Sequence, residues 1–152
     1  MNKIHLIAAY DYNGRRDFCC GINAGVLFIR VHEWSLNFFM RVMSYPYFNN
    51  EKSLTNHDQT SLNNILIEFN ELDHYVVVPQ QWFNNLHIEK GNFLYHIMSG
   101  NNDFKNNLLY KFINDSKNDN KWYEKTNKEM RKEILDYYNL NREDQIKINI
   151  QP

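Results

Sequence analysis

The sequence predicts an α/β layer fold, and three observations carry that expectation. Short apolar runs recur at 3–10, at Val26 to Ile29 with a β-branched residue at each end, and at Tyr75 to Val78, which is mostly β-branched. Between the second and third lie two stretches whose apolar residues recur at helical spacing. At 152 residues and 43% hydrophobic content, the chain is globular and has room for one domain with a real core. Strands interleaved with amphipathic helices pack as layers around a sheet.

The first strand is expected over 3–10. It runs into Asp11-Tyr12-Asn13-Gly14, a turn signal. Asp11 and Asn13 could bind something as a pair, but an Asx-type turn is the simpler use of both. Gly21-Ile22-Asn23-Ala24-Gly25 then leads into Val26-Leu27-Phe28-Ile29, a polar loop feeding a buried strand. Its glycines let the backbone turn sharply or approach a ligand closely, and Asn23 can both donate and accept hydrogen bonds. Glu33 to Met43 reads as a helix whose core face is Leu36, Phe39, Met40 and Met43, widened by Phe38 and Val42. Pro46 is expected to stop it.

A second helix is expected over Asp58 to Phe69, with Leu62, Ile65, Leu66 and Phe69 on its apolar face. Thr55 and Asp58 have capping-box spacing. Gln59 has no such structural use, and at a helix start its amide can point off the positive end of the dipole. Tyr75 to Val78 forms a strand ended by Pro79. Trp82 beside Asn84 suits a sugar contact, because a pyranose face packs on a ring while its hydroxyls need fixed partners. Core burial of Trp82 is equally open. Gly91 to Met98 is a further apolar stretch carrying His96, which reads most simply as a core histidine.

From 101 to 120 the chain holds seven asparagines among alternating charges and reads as loop or surface. Residues 121–139 suggest an amphipathic helix, and the remainder a tail. Asn114-Asp115-Ser116 is a glycosylation acceptor triplet.

Charge and composition exclude several classes of function. Seventeen basic and 18 acidic residues give a net charge of −1, so no field of one sign steers nucleic acid or an anionic membrane. Cys19 and Cys20 are adjacent and imply no disulfide framework. No apolar run approaches the ~18 residues needed to span a bilayer, and the first nine residues make no convincing signal peptide.

Four stretches in order carry a resemblance: Gly21 to Arg30 with Glu33-Trp34-Ser35-Leu36, His57 to Leu62, Val78 to Asn84, and Gly91 to His96. Together they resemble the fungal α-galactosyl- and α-mannosyltransferases of glycosyltransferase family 34. The resemblance spans roughly 11–100. It implies a GT-A-like, Rossmann-like nucleotide-sugar fold, of which 1–100 would be the C-terminal part, and 101–152 a polar loop, helix and tail of the same domain.

It further implies a retaining hexosyltransferase of the Golgi membrane, luminal side, working on glycoprotein glycans. The partners implied are a nucleotide-sugar donor, a glycan acceptor and other glycosyltransferase subunits. By position, Asn23 and Gly25 would contact the donor sugar. Gln59 and Asp58 would be the catalytic residues, Gln59 beside the anomeric carbon and Asp58 holding acceptor hydroxyls, with Trp82 and Asn84 also on the acceptor side. His96 would be a ligand to Mn2+ on the donor diphosphate.

The chain departs from the family in ways that matter. It contains no Asp-x-Asp, and Asn92 stands where the family has an aspartate. The nucleotide-binding half and most of the metal ligands are therefore expected to be missing. The chain as written is expected not to transfer sugar. A truncated, non-catalytic copy or a subunit of a transferase complex is the alternative.

Overall fold

A computed structural model describes residues 3–11, 21–49, 57–84, 94–97, 100–119 and 126–148. The Asn13-Gly14 turn, both cysteines, Thr55 and the Gly91-Asn92-Phe93 step lie outside them.

Three strands form one mixed sheet: β1 (Leu6–Asp11), β2 (Gly21–Ile29) and β3 (Tyr75–Val78). The order is β2-β1-β3, with β2 antiparallel and β3 parallel to the central β1. Register runs from Leu6↔Ile29 to Asp11↔Gly21 on one side, broken by an irregularity between Ala8 and Tyr10. On the other side it runs from Leu6↔Tyr75 to Ala9↔Val78. The α/β class expected from the sequence is therefore present.

Because side chains alternate along a strand, the sheet supplies two apolar faces. Leu6, Ala8, Tyr75 and Val77 face a core built with α1 (Glu33–Phe48) and α2 (His57–Phe69). Ile4, Ala9, Val76 and Val78 face a second cluster with Phe83. Trp82, Tyr137 and Tyr138 pack against that cluster from α3 (Gln80–Phe83) and, beyond α4 (Asn102–Asn118), from α5 (Asn127–Tyr138). Burial on both faces explains why β3 is an unbroken Tyr-Val-Val-Val run.

Four expectations are corrected. The helix after β2 does not stop at Tyr45: Pro46 lies in the last turn, where one backbone bond is lost, and the helix continues to Phe48. Asn49 closes it by donating from Nδ2 to the Tyr45 carbonyl, at 3.0 Å. Its buried stripe is Trp34, Phe38, Val42 and Tyr45, whereas Leu36, Met40 and Met43 are exposed. The correction to the core face extends to α2, where Leu62, Ile65 and Leu66 are buried as expected but Phe69 is half exposed beneath the Arg41 guanidinium.

The asparagine-rich segment is the third correction. It forms α4, capped by Asn101, whose Oδ1 accepts from the Phe104 amide at 2.8 Å. Asparagine is a good N-cap, and Phe104, Leu108 and Phe112 supply helical spacing that composition hides. The fourth correction is the tail. Ile146 and Ile148 pack on the first core, and Gln145 is buried, donating to the carbonyls of Tyr138 and Leu140. Helix α5 is present over part of its expected span, with a capping box between Thr126 and Glu129. Residues 94–97 have no regular structure.

Candidate functional site

The site is built at the carboxyl ends of β1 and β3, where ligands of layered α/β folds gather. Asp11 ends β1 and is buried. Its carboxylate accepts three side-chain amides. Asn23 Nδ2 donates to Oδ2 at 3.3 Å, Gln59 Nε2 to Oδ2 at 3.0 Å, and Asn84 Nδ2 to Oδ1 at 3.4 Å.

Each amide is held by a different element. Asn23 follows Gly21 at the start of β2, and Gly21 pairs with Asp11 across the sheet. The Asn23 Oδ1 accepts the Gly25 backbone N–H at 2.8 Å. Gln59 reaches from the first turn of α2 and accepts the Ala24 N–H on Oε1 at 3.1 Å. Asn84 is the C-cap of α3, whose start follows Pro79 at the end of β3, and it is fully buried.

One turn along α2, Asn63 ties the helix to the edge strand. Its Oδ1 accepts the Ile22 N–H at 2.7 Å, and its Nδ2 donates to the Ile22 carbonyl at 3.0 Å. This side chain takes the place of a neighbouring strand at β2. A Cβ on Gly21 would stand 2.4 Å from the Asn63 Oδ1, so glycine is required for that approach.

His96 completes the cluster. Its Nδ1 lies 3.2 Å from the Asn84 Oδ1. Asn84 turns its Nδ2 toward Asp11, so its oxygen is the acceptor and His96 Nδ1 carries the proton. Burial lowers the His96 pKa; Asp11 opposes the shift and Lys105 adds to it. The ring is therefore neutral near pH 7, with a lone pair on Nε2. It packs against Gly25: a Cβ there would lie 2.1 Å from Cε1 and 2.6 Å from Nε2 of His96. The result is a hydrogen-bonded chain of carboxylate, carboxamide and imidazole, buried at Asp11 and Asn84 and half-buried at His96.

The structure thus brings Asn23, Gly25, Gln59, Asn84 and His96 together. Asp58 stands apart, exposed, with Oδ1 accepting its neighbour's backbone N–H at 2.8 Å. Trp82 also stands apart. It meets Tyr137 edge to face at 5.6 Å on the opposite side of the sheet.

Sequence reasoning missed two residues. Asp11 was expected in a turn, but it is the hub; an acidic residue closing an apolar strand is the signal that points to it. Asn63 sits on the apolar face of α2 between Leu62 and Ile65, where an unpartnered amide would be costly. That position is its signal.

Manganese finds a poor donor set here. His96 Nε2 is one imidazole donor, but among the described residues no three of His, Cys, Asp and Glu converge on a point. Both Asp11 oxygens are already engaged by amides. The residues described do not fit a resident ion. Compared with protein-family models, with curated proteins and with solved structures, the chain matches none.

Proposed function

We propose that the Asp11 cluster is the hexose subsite of a retaining glycosyltransferase domain. That domain moves galactose or mannose from a nucleotide sugar to a glycan in the fungal Golgi lumen. One observation carries the reading. Each of the four ordered stretches that resemble family 34 contributes one polar side chain — Asn23, Gln59, Asn84, His96 — to a single network on Asp11.

The chemistry is suited to a sugar. A hexose presents hydroxyls that donate and accept at once, and the cluster holds amides, a carboxylate and a neutral imidazole. The Gln59 amide is fixed at both ends, by Asp11 and by the Ala24 N–H, so it presents its second N–H in a set direction. A preorganised donor of that kind stabilises charge developing at a reacting sugar. In same-face transfer the leaving phosphate itself takes the acceptor proton, so no side chain need act as nucleophile.

The engaged Asp11 carboxylate favours a second reading: a non-catalytic member of the family, or a subunit that binds sugar beside an active partner. Calorimetric titration with uridine and guanosine diphosphate hexoses, alongside a transfer assay with and without manganese, separates the two. Binding with turnover supports the enzyme. Binding that distinguishes the hexose from the bare diphosphate, without turnover, supports the non-catalytic member. No hexose-dependent binding in either assay overturns both.

A further inference from the structure

Helix α1 carries two apolar stripes. At 100° per residue, Trp34, Phe38, Val42 and Tyr45 lie on one side, in the core. Leu36, Met40, Met43 and Tyr47 lie within an arc of about 60°, on the side opposite that buried stripe. Their exposures are 64%, 67%, 71% and 77%. Single exposed apolar residues are ordinary, but four in line on one helix are a patch.

The helix has only two charged residues, Glu33 and Arg41. Arg41 is turned away to Glu71, at 3.5 Å, and to the Phe69 ring. A helix apolar on both sides belongs inside an assembly.

We propose that this stripe is a self-association surface and that its occupant is the same helix of a second copy. The spacing 36, 40, 43, 47 alternates four and three, the seam that lets two helices interlock side chain into hole. At the exposures above, the four side chains expose on the order of 600 Å² per copy, a ceiling that brings two copies to the ~1,200 Å² lower edge of stable interfaces. A net charge of −1 puts little repulsion between copies. The pairing is two-fold and antiparallel. That arrangement opposes the two helix dipoles and keeps the two Glu33 carboxylates apart. It places Met40 of one copy beside Met43 of the other. The surface is separate from the Asp11 cluster, so it stands or falls independently of the sugar reading.

Sedimentation velocity and light scattering of the purified chain in reducing buffer, from 1 to 300 μM, test this. The expected result is a concentration-dependent rise from 18.4 kDa to twice that mass. Met40→Glu and Met43→Glu should each remain monomeric throughout, with unchanged far-UV circular dichroism, because neither side chain supports the fold. Met40→Leu should retain the dimer. A wild-type chain that stays monomeric to 300 μM overturns the proposal, leaving the stripe to a different partner. A dimer that survives both glutamate substitutions overturns it equally.

Discussion

Replacing Asn84 with alanine separates the hydrogen-bond relay from mere packing. Asn84 is fully buried and bridges Asp11 Oδ1, at 3.4 Å, and His96 Nδ1, at 3.2 Å. Its removal leaves a buried acceptor and a partly buried N–H without their partner. Each such loss costs about 1–3 kcal/mol, and the length of both bonds points to the lower end. The expected destabilisation is about 2–3 kcal/mol, read from urea unfolding.

The sharper readout is His96 itself. Without an acceptor at Nδ1, nothing fixes the tautomer, and the ring nitrogen shifts in 15N NMR should move toward a mixture. Asn63→Ala is the control. It strips two hydrogen bonds from the buried Ile22 backbone and should destabilise by a similar amount. It touches neither His96 nor Asn84, so the His96 spectrum should be unchanged. Identical His96 shifts in wild type and Asn84→Ala would refute the relay.

Two further outcomes follow from the same geometry. Gly25→Ala places a methyl 2.1 Å from the His96 Cε1, so the ring must leave its position. Overpacking of this kind costs about 1–3 kcal/mol, and the His96–Asn84 coupling should vanish from the spectrum. Stability should also fall in acid through a separate histidine cluster at the other end of the sheet. His5 is buried, with Nδ1 3.0 Å from that of His74 and its ring 4.1 Å from that of His32. Burial chiefly lowers its pKa below 6.5, reinforced by His32, His74 and Arg30. A depressed histidine pKa means that the unfolded chain takes up the proton first. The contribution is whole above pH 6.5 and is lost as pH falls toward the folded value. Urea midpoints from pH 8 to 5 should show this decline, and His5→Phe should reduce it, leaving the share that the lowered pKa of His96 contributes.

How much of this was legible in the sequence divides along physical lines. Tyr75 to Val78 was readable because a strand buried on both faces must be apolar throughout. The existence of α1 was readable from periodicity, but its rotation was not. Phe38 and Val42 compete with Leu36 and Met40 for the core, and only the sheet decides between them. Composition misled at 101–118, where asparagines that cap and line an exposed helix look like those of a loop. Asn23, Gln59, Asn84 and His96 were picked out singly, each from a different stretch. That Asn23, Gln59 and Asn84 share one carboxylate, with His96 joined to it through Asn84, was not visible, because Asp11 beside Asn13-Gly14 reads as turn chemistry until the strand pairing with Gly21 places it.

The central claim is that the Asp11 cluster receives a hexose, and side-chain amide NMR tests it most directly. The account predicts that adding galactose or mannose nucleotide sugars shifts the NH2 signals of Asn23, Gln59 and Asn84 together. Asn101, capping α4, should stay fixed, and Gln59→Ala should weaken the titration at least tenfold. Shifts confined to the Trp82 and Tyr137 side of the sheet, or none at all, would contradict it.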